Sequence, residues 1–143
     1  MSPYKLTKDE LNYYAGFFDG EGCIMIQKKQ GRPDGRPYRI LNIAISLTNL
    51  NILEDFKRAF GGTVHGAYKS KEHYKDKWNW QIFGNKALTF LKLIYPYLRL
   101  KTREAELGIE FQERARQHCD IALREGREAI QEAQYILMKE LKK

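Results

Sequence analysis

A chain of 143 residues sets one domain with an adequate core as the expectation, since single domains usually hold about 100–200 residues. Its 25 Lys and Arg against 18 Asp and Glu give a net charge of +7, which points to a polyanionic partner. The chain nowhere offers the run of about 20 apolar residues that a bilayer needs, so no membrane partner and an intracellular location, compartment unspecified, are expected. Two cysteines, Cys23 and Cys119, exclude a disulfide framework or a metal knuckle and read as reduced, buried thiols.

Thr7 followed three residues later by Glu10 is a capping box, so a helix starts at about Lys8 and runs to Asp19 or Gly20. Gly20 and Gly22 are its expected stop, through the left-handed conformation that glycine tolerates. Gly16 and Gly20 stand four apart with Ala15 beside Gly16, a flat stripe that wastes helix propensity unless another backbone lies against it. Asp19 and Glu21 sit at the negative end of the helix dipole, where carboxylates are disfavoured, and so mark a functional site. Residues two apart point to nearly opposite sides of a helix, which divides their work. Asp19 is placed to bond backbone at the helix end; Glu21, in the turn beyond, is placed to project past the tip and do chemistry.

Residues 24–29 then read as a strand, and 30–37, rich in Gly, Pro and Arg, as a loop. Residues 38–48 alternate, with Leu41, Ile43, Ile45 and Leu47 on one face and Asn42, Ala44, Ser46 and Thr48 on the other. A helix over 50–60 carries Leu53, Phe56 and Phe60 on one side and ends at Gly61-Gly62. Residues 63–69 form a third strand, 70–76 a charged turn or hairpin loop, and 77–83 a fourth strand that turns Trp78, Trp80 and Ile82 to the core. A short helix over 86–93 halts before Pro96. Helices over about 102–117 and 121–141 follow, the last with Ile130, Leu137 and Leu141 as its apolar positions.

Four antiparallel strands with helices on one face leave the other face in water. The side chains assigned there are Gln27, Lys29, Asn42, Ser46, His65, Lys69, Asn79 and Gln81. Amides pair with adenine, cations with guanine or phosphate, and a β-ribbon fits the major groove, so double-stranded DNA is the expected partner. Arg32, Arg36 and Arg39 around the first loop, with Lys71, Lys75 and Lys77 around the second, would extend the contact along phosphates. A register slip of one residue would invert this face. His65, His73 and His118 have no metal-ligand spacing, and no nucleophile and base pair up for covalent chemistry.

Tyr14-Ala15-Gly16-Phe17-Phe18-Asp19-Gly20-Glu21-Gly22 resembles the LAGLIDADG motif of homing endonucleases. Aromatic residues stand where the name has Leu and Ile, Gly20 replaces the second Ala, and Glu21 replaces the second Asp. The similarity covers about residues 7–106 of the single domain 1–143, and the helices from about 102 onward vary in the family. The resemblance implies an α+β fold, with an αββαββα core whose saddle-shaped antiparallel sheet binds DNA. It also implies two motif helices packed at a twofold or pseudo-twofold axis, and cleavage that leaves short 3′ overhangs.

Hydrolysis of a phosphodiester calls for an activated water and charge neutralisation at phosphorus, which divalent metals provide. Mg²⁺, or another divalent cation such as Mn²⁺, suits an oxygen-only site with Glu21 as ligand, and the resemblance adds the Gly20 carbonyl. It also implies catalytic roles for Asn49, a polar amide near the attacking water, and for Lys101, which follows the Pro96 segment. A helix N-cap is the plainer role for Asn49 and a solvated helix charge the plainer role for Lys101. One Glu21 per chain must serve two scissile phosphates, so a homodimer is expected, with Ala15, Gly16, Asp19 and Gly20 at its interface. Its target would be a pseudo-palindrome of about twenty base pairs, roughly ten per half. The alternative is a non-cleaving nucleic-acid-binding protein on the same scaffold, an RNA maturase for intron splicing or a DNA-binding regulator. A plain dimeric interaction module leaves the polar strand face unexplained.

Overall fold

The structure, a computed structural model, describes residues 5–68, 76–116 and 121–143. Along the chain run α1 (Lys8–Glu21), β1 (Gly22–Lys29), β2 (Tyr38–Leu47), α2 (Leu50–Phe60), β3 (Thr63–Tyr68), β4 (Lys77–Phe83) and α3 (Gly84–Ile94). A 3-10 turn (Tyr95–Tyr97), α4 (Thr102–Arg116) and α5 (Ile121–Leu141) complete it. The strands form one antiparallel sheet in the order β1-β2-β4-β3, so the fold is α+β with all helices packed over one face of four strands. Among the described residues no helix is long and apolar enough to cross a membrane.

The alternation in the strands sets which face is covered. Ile24 and Ile26 of β1, Leu41, Ile43 and Ile45 of β2, and Trp80 and Ile82 of β4 point into one core with Phe18, Phe56, Phe90 and Phe111 from the helices. Registers Ile24↔Ile43 and Ile43↔Ile82 line these residues up across the sheet, which is the pairing the hydrophobic pattern demands. Trp80 is fully buried among Phe56 and Phe90, and its indole N–H finds the Gly61 carbonyl at 2.9 Å. Each such ring stabilises the fold by about 2–3 kcal/mol through area removed from water, before ordering costs. Gly61 and Gly62, both at positive φ, end α2 as expected.

The end of α1 differs from the expectation. The helix runs through Glu21, and Gly22 is extended (φ −87°) rather than left-handed. The need for glycine at Gly22 is steric: a Cβ there would overlap the Phe18 ring, which is locked edge-on to Phe90 at 5.2 Å. Cys23 is partly exposed rather than buried, and Cys119 lies outside the described residues, as do His73 and His118. On α5 the buried side is Gln134 and Met138, with Tyr135 and Leu141 packed against the core. Ile130 and Leu137 face outward, against their expected role. The side of α5 that reaches β1 carries Tyr135 and Met138, with Glu132 paired to Lys28 and Arg39 beside them.

Candidate active site and nucleic-acid interface

The capping box forms as read: Glu10 N–H donates to Thr7 Oγ1 at 3.1 Å and Thr7 N–H to Glu10 Oε1 at 3.0 Å. At the other end of α1 the two acids part company. Asp19, 8% exposed, accepts from the backbone N–H groups of Arg99 (2.7 Å), Leu100 (3.2 Å) and Lys101 (3.1 Å). Its carboxylate is therefore spent on the turn leading into α4, a stronger tie than a neutral acceptor would make. Glu21 is exposed, and among the described residues nothing engages its carboxylate.

Lys101 returns to the same helix end, its Nζ donating to the Asp19 carbonyl at 2.7 Å. A cation on the last-turn carbonyls of a helix is favoured by the dipole. The carbonyls of a final turn otherwise lack intrahelical partners, and that of Gly20 belongs to this set. β1 begins at Gly22, opposite Ile45 near the end of β2, and Leu47 lies opposite Trp78 at the start of β4. Asn49, two residues past β2, thus stands at the same end of the sheet as Glu21. Its Oδ1 accepts from Ile52 N–H at 3.3 Å, the N-cap of α2, while the residue remains exposed.

The face of the sheet away from the helices carries Gln27 and Lys29 of β1, Asn42 and Ser46 of β2, Lys77, Asn79 and Gln81 of β4, and His65 of β3, as the register requires. Ser46 Oγ donates to Asn79 Oδ1 at 2.8 Å, and His65 Nε2 lies 3.0 Å from Thr63 Oγ1. Asn42 is 1% exposed because its neighbours on this face cover it, which takes it out of the expected DNA-contacting set; its Oδ1 and the Gln27 Oε1 are buried with no partner among the described residues. Apolar and aromatic members, Met25, Ile40, Tyr38 and Phe83, share this face and went unmarked in the strand pattern.

The loop cations are distributed differently from the expectation. Arg39 points to the helix face, 9% exposed, and its NH2 group meets Glu132 at 2.8 Å, which removes it from the polar strand face. Arg36 pairs with Glu128 at 3.4 Å, and Arg32 stands over the Tyr38 ring at 5.1 Å. Lys69, Lys71 and Lys75 lie outside the described residues. Lys28 and Arg39, in that order of effect, hold the Glu132 carboxyl below the usual carboxylate range.

The small-residue stripe is also narrower than expected. Ala15 and Asp19 are buried in the chain's own core, so the outward face of α1 is Tyr13, Gly16 and Gly20. Among the described residues, a Cβ at Gly16 or Gly20 would meet nothing within 4 Å beyond the local helix backbone. The exposed aromatic Tyr13 was legible at helical spacing from both glycines. Among the described residues no group of three or more His, Cys, Asp or Glu gathers where one chain could hold a metal.

A motif helix feeding an edge strand of a four-stranded antiparallel sheet, with helices on one face and amides on the other, is the architecture of the homing endonucleases. The family model described as LAGLIDADG endonuclease matches residues 14–113, and the chain belongs to that family. Among solved structures it is similar to the homing endonuclease I-CvuI in complex with its target in the presence of 2 mM Ca. There the identity is 25% and the TM-score 0.59, over 72% of this chain, and the chain spans only 65% of I-CvuI's length. It is also similar to the archaeal intron-encoded homing endonuclease I-Vdi141I complexed with DNA, at TM-score 0.73 and 17% identity over 93% of this chain and 84% of that one. The homing endonuclease I-TnaI matches at TM-score 0.56 and 19% identity over 78% and 77%. The last two identities speak to fold alone.

Proposed function

We propose that the chain is a site-specific DNA endonuclease that cuts both strands of a duplex as a homodimer, one Glu21 serving each strand. The single observation carrying this reading is the division of labour at the end of α1: Asp19 is consumed by three backbone N–H groups while Glu21 is exposed and, among the described residues, unengaged. An exposed acid at the unfavourable end of a helix dipole is kept for chemistry, not for the fold.

The donor set at this tip, one carboxylate and the last-turn carbonyl of Gly20, is all oxygen, which fits a hard divalent cation such as Mg²⁺ or Mn²⁺. Such an ion, when bound, supplies charge neutralisation at phosphorus and an activated water. Among the described residues of one chain no cluster of acids gathers, which favours two copies of the tip side by side, and the open stripe Tyr13, Gly16, Gly20 supports that pairing. Lys101, tied to the Asp19 carbonyl beside Gly20 and Glu21, supplies a fixed positive charge for the developing phosphorane. Asn49 spends its oxygen on the α2 N-cap and keeps its amide nitrogen to orient water. Gln27, Lys29, Ser46, His65, Lys77, Asn79 and Gln81 form the base-reading face, with Asn42 buried beneath it.

Incubating the purified chain with a library of duplexes of about 20 bp and Mg²⁺ or Mn²⁺ tests this. Cutting of both strands at one selected site is expected, with Glu21→Gln lowering cutting by about 10²-fold or more while binding persists. Binding without cutting by the wild-type chain in either metal would overturn the enzymatic reading and leave a nucleic-acid-binding protein on this scaffold.

A further inference from the structure

Resting on the DNA-cleaving reading above, we propose that Glu132, on α5 and away from the base-reading face, is a positioning residue for sequence recognition. It sets where the outer part of the β1–β2 hairpin meets the duplex.

The core stops short of that hairpin. The last residue of β1 in the core cluster is Ile26 and the first of β2 is Leu41, so Gln27 to Ile40 lie outside that cluster. Beneath it, a cavity of about 390 Å³ is lined by Arg32, Arg39, Phe111, Gln112, Glu128 and Gln131 among others. Beside this gap the hairpin is tied to α5 by charge, with Lys28 also over the Tyr135 ring at 5.6 Å. Lys28 and Arg39 are directly opposite each other in the register, two cations on the helix face that would repel if left alone. Glu132 bridges both: each of its oxygens lies 2.9 Å from Lys28 Nζ, and Oε2 also lies 2.8 Å from Arg39. One turn earlier on α5, Glu128 takes Arg36 at 3.4 Å.

The other side of the same strands carries Gln27 and Lys29, with Arg32 stacked on Tyr38 at the base of the loop. Moving the hairpin therefore moves its reading groups. Base pairs repeat every ~3.4 Å along a duplex, so a hairpin sinking into the cavity by about that distance reads the wrong step. A residue with no place at the DNA thus governs discrimination at the outer base pairs, while the inner ones, read from strand segments over the core, are unaffected.

The test is a binding and cleavage selection on the full chain, comparing wild type with Glu132→Gln and Glu132→Asp on targets substituted one position at a time. Removing an acid from a basic protein strengthens attraction for any DNA, so a merely electrostatic role predicts tighter, uniformly less selective binding. Positioning predicts about a tenfold loss of discrimination confined to the outer base pairs of each half-site, with inner discrimination retained. The shorter carboxylate of Glu132→Asp keeps the charge and should shift preference at the same outer positions, which keeps the proposal testable if Glu132→Gln folds poorly. Outer discrimination unchanged in either folded variant, or lost equally at inner and outer positions, overturns this inference alone. A wild-type chain that binds no duplex overturns the endonuclease reading with it.

Discussion

Replacing Asp19 by Ala separates the two acids of the motif most sharply. The carboxylate is 8% exposed and accepts three backbone N–H groups at 2.7, 3.2 and 3.1 Å. Hydrogen bonds to a charged acceptor are worth about 1.5–3 kcal/mol each, and three that share one group are not additive, so about 4 kcal/mol is expected. A domain of this size loses about 3 °C of Tm per kcal/mol, so Asp19→Ala should melt about 12 °C lower. Asp19→Asn keeps one acceptor and sets an amide N–H₂ against the remaining backbone donor, and should lose about half as much. Thermal unfolding by circular dichroism measures the first quantity, and hydrogen exchange at the amides of Arg99, Leu100 and Lys101 locates it. An Asp19→Ala chain that melts with wild type, its amides no less protected, would refute the assignment of Asp19 to structure. The complementary variant, Glu21→Gln, removes a carboxylate from the unfavourable end of the helix dipole, so it should leave Tm unchanged or slightly higher while lowering cutting by about 10²-fold or more.

Gly16→Leu should leave the monomer folded, because among the described residues nothing beyond the local helix backbone lies within 4 Å of the new Cβ, yet should turn a dimer into a monomer; unchanged mass by light scattering would refute the glycine interface. Gly22→Ala should destabilise by about 2–3 kcal/mol, since its Cβ overlaps a Phe18 ring that Phe90 prevents from retreating; a wild-type unfolding midpoint in urea would count against this. Glu132, its carboxyl lowered by Lys28 and Arg39, contributes stability that is present above its unfolded pKa of about 4.3 and lost as pH falls through the lower folded value. The stability difference between wild type and Glu132→Gln should therefore shrink on acidification from about pH 6 to about pH 3, and a constant gap would sink the ion-pair account.

Much of the fold was legible because its signals are local. The Thr7–Glu10 capping box, the Gly61-Gly62 stop and the alternation of Leu41, Ile43 and Ile45 each depend on residues within a few positions of one another. The polar strand face followed from the same alternation, and the register kept Gln27, Asn42, Ser46, Asn79 and Gln81 together on it. The division between Asp19 and Glu21 was readable from helix geometry, whereas the partners of Asp19 were not.

Those partners lie 80 to 82 residues further along the chain, and the acid that Arg39 meets on the helix face lies 93 residues beyond it. No periodicity reports such a meeting, because it depends on how α4 and α5 dock over the sheet. The same docking chose between two apolar stripes on α5 and turned Ile130 and Leu137 outward. Secondary structure, strand faces and the acidic motif were thus determined by the sequence alone, through short-range sterics and hydrophobic alternation. Which charges are spent inside the fold and which remain for a partner was decided only by tertiary packing, since burial and pairing are properties of the assembled surface.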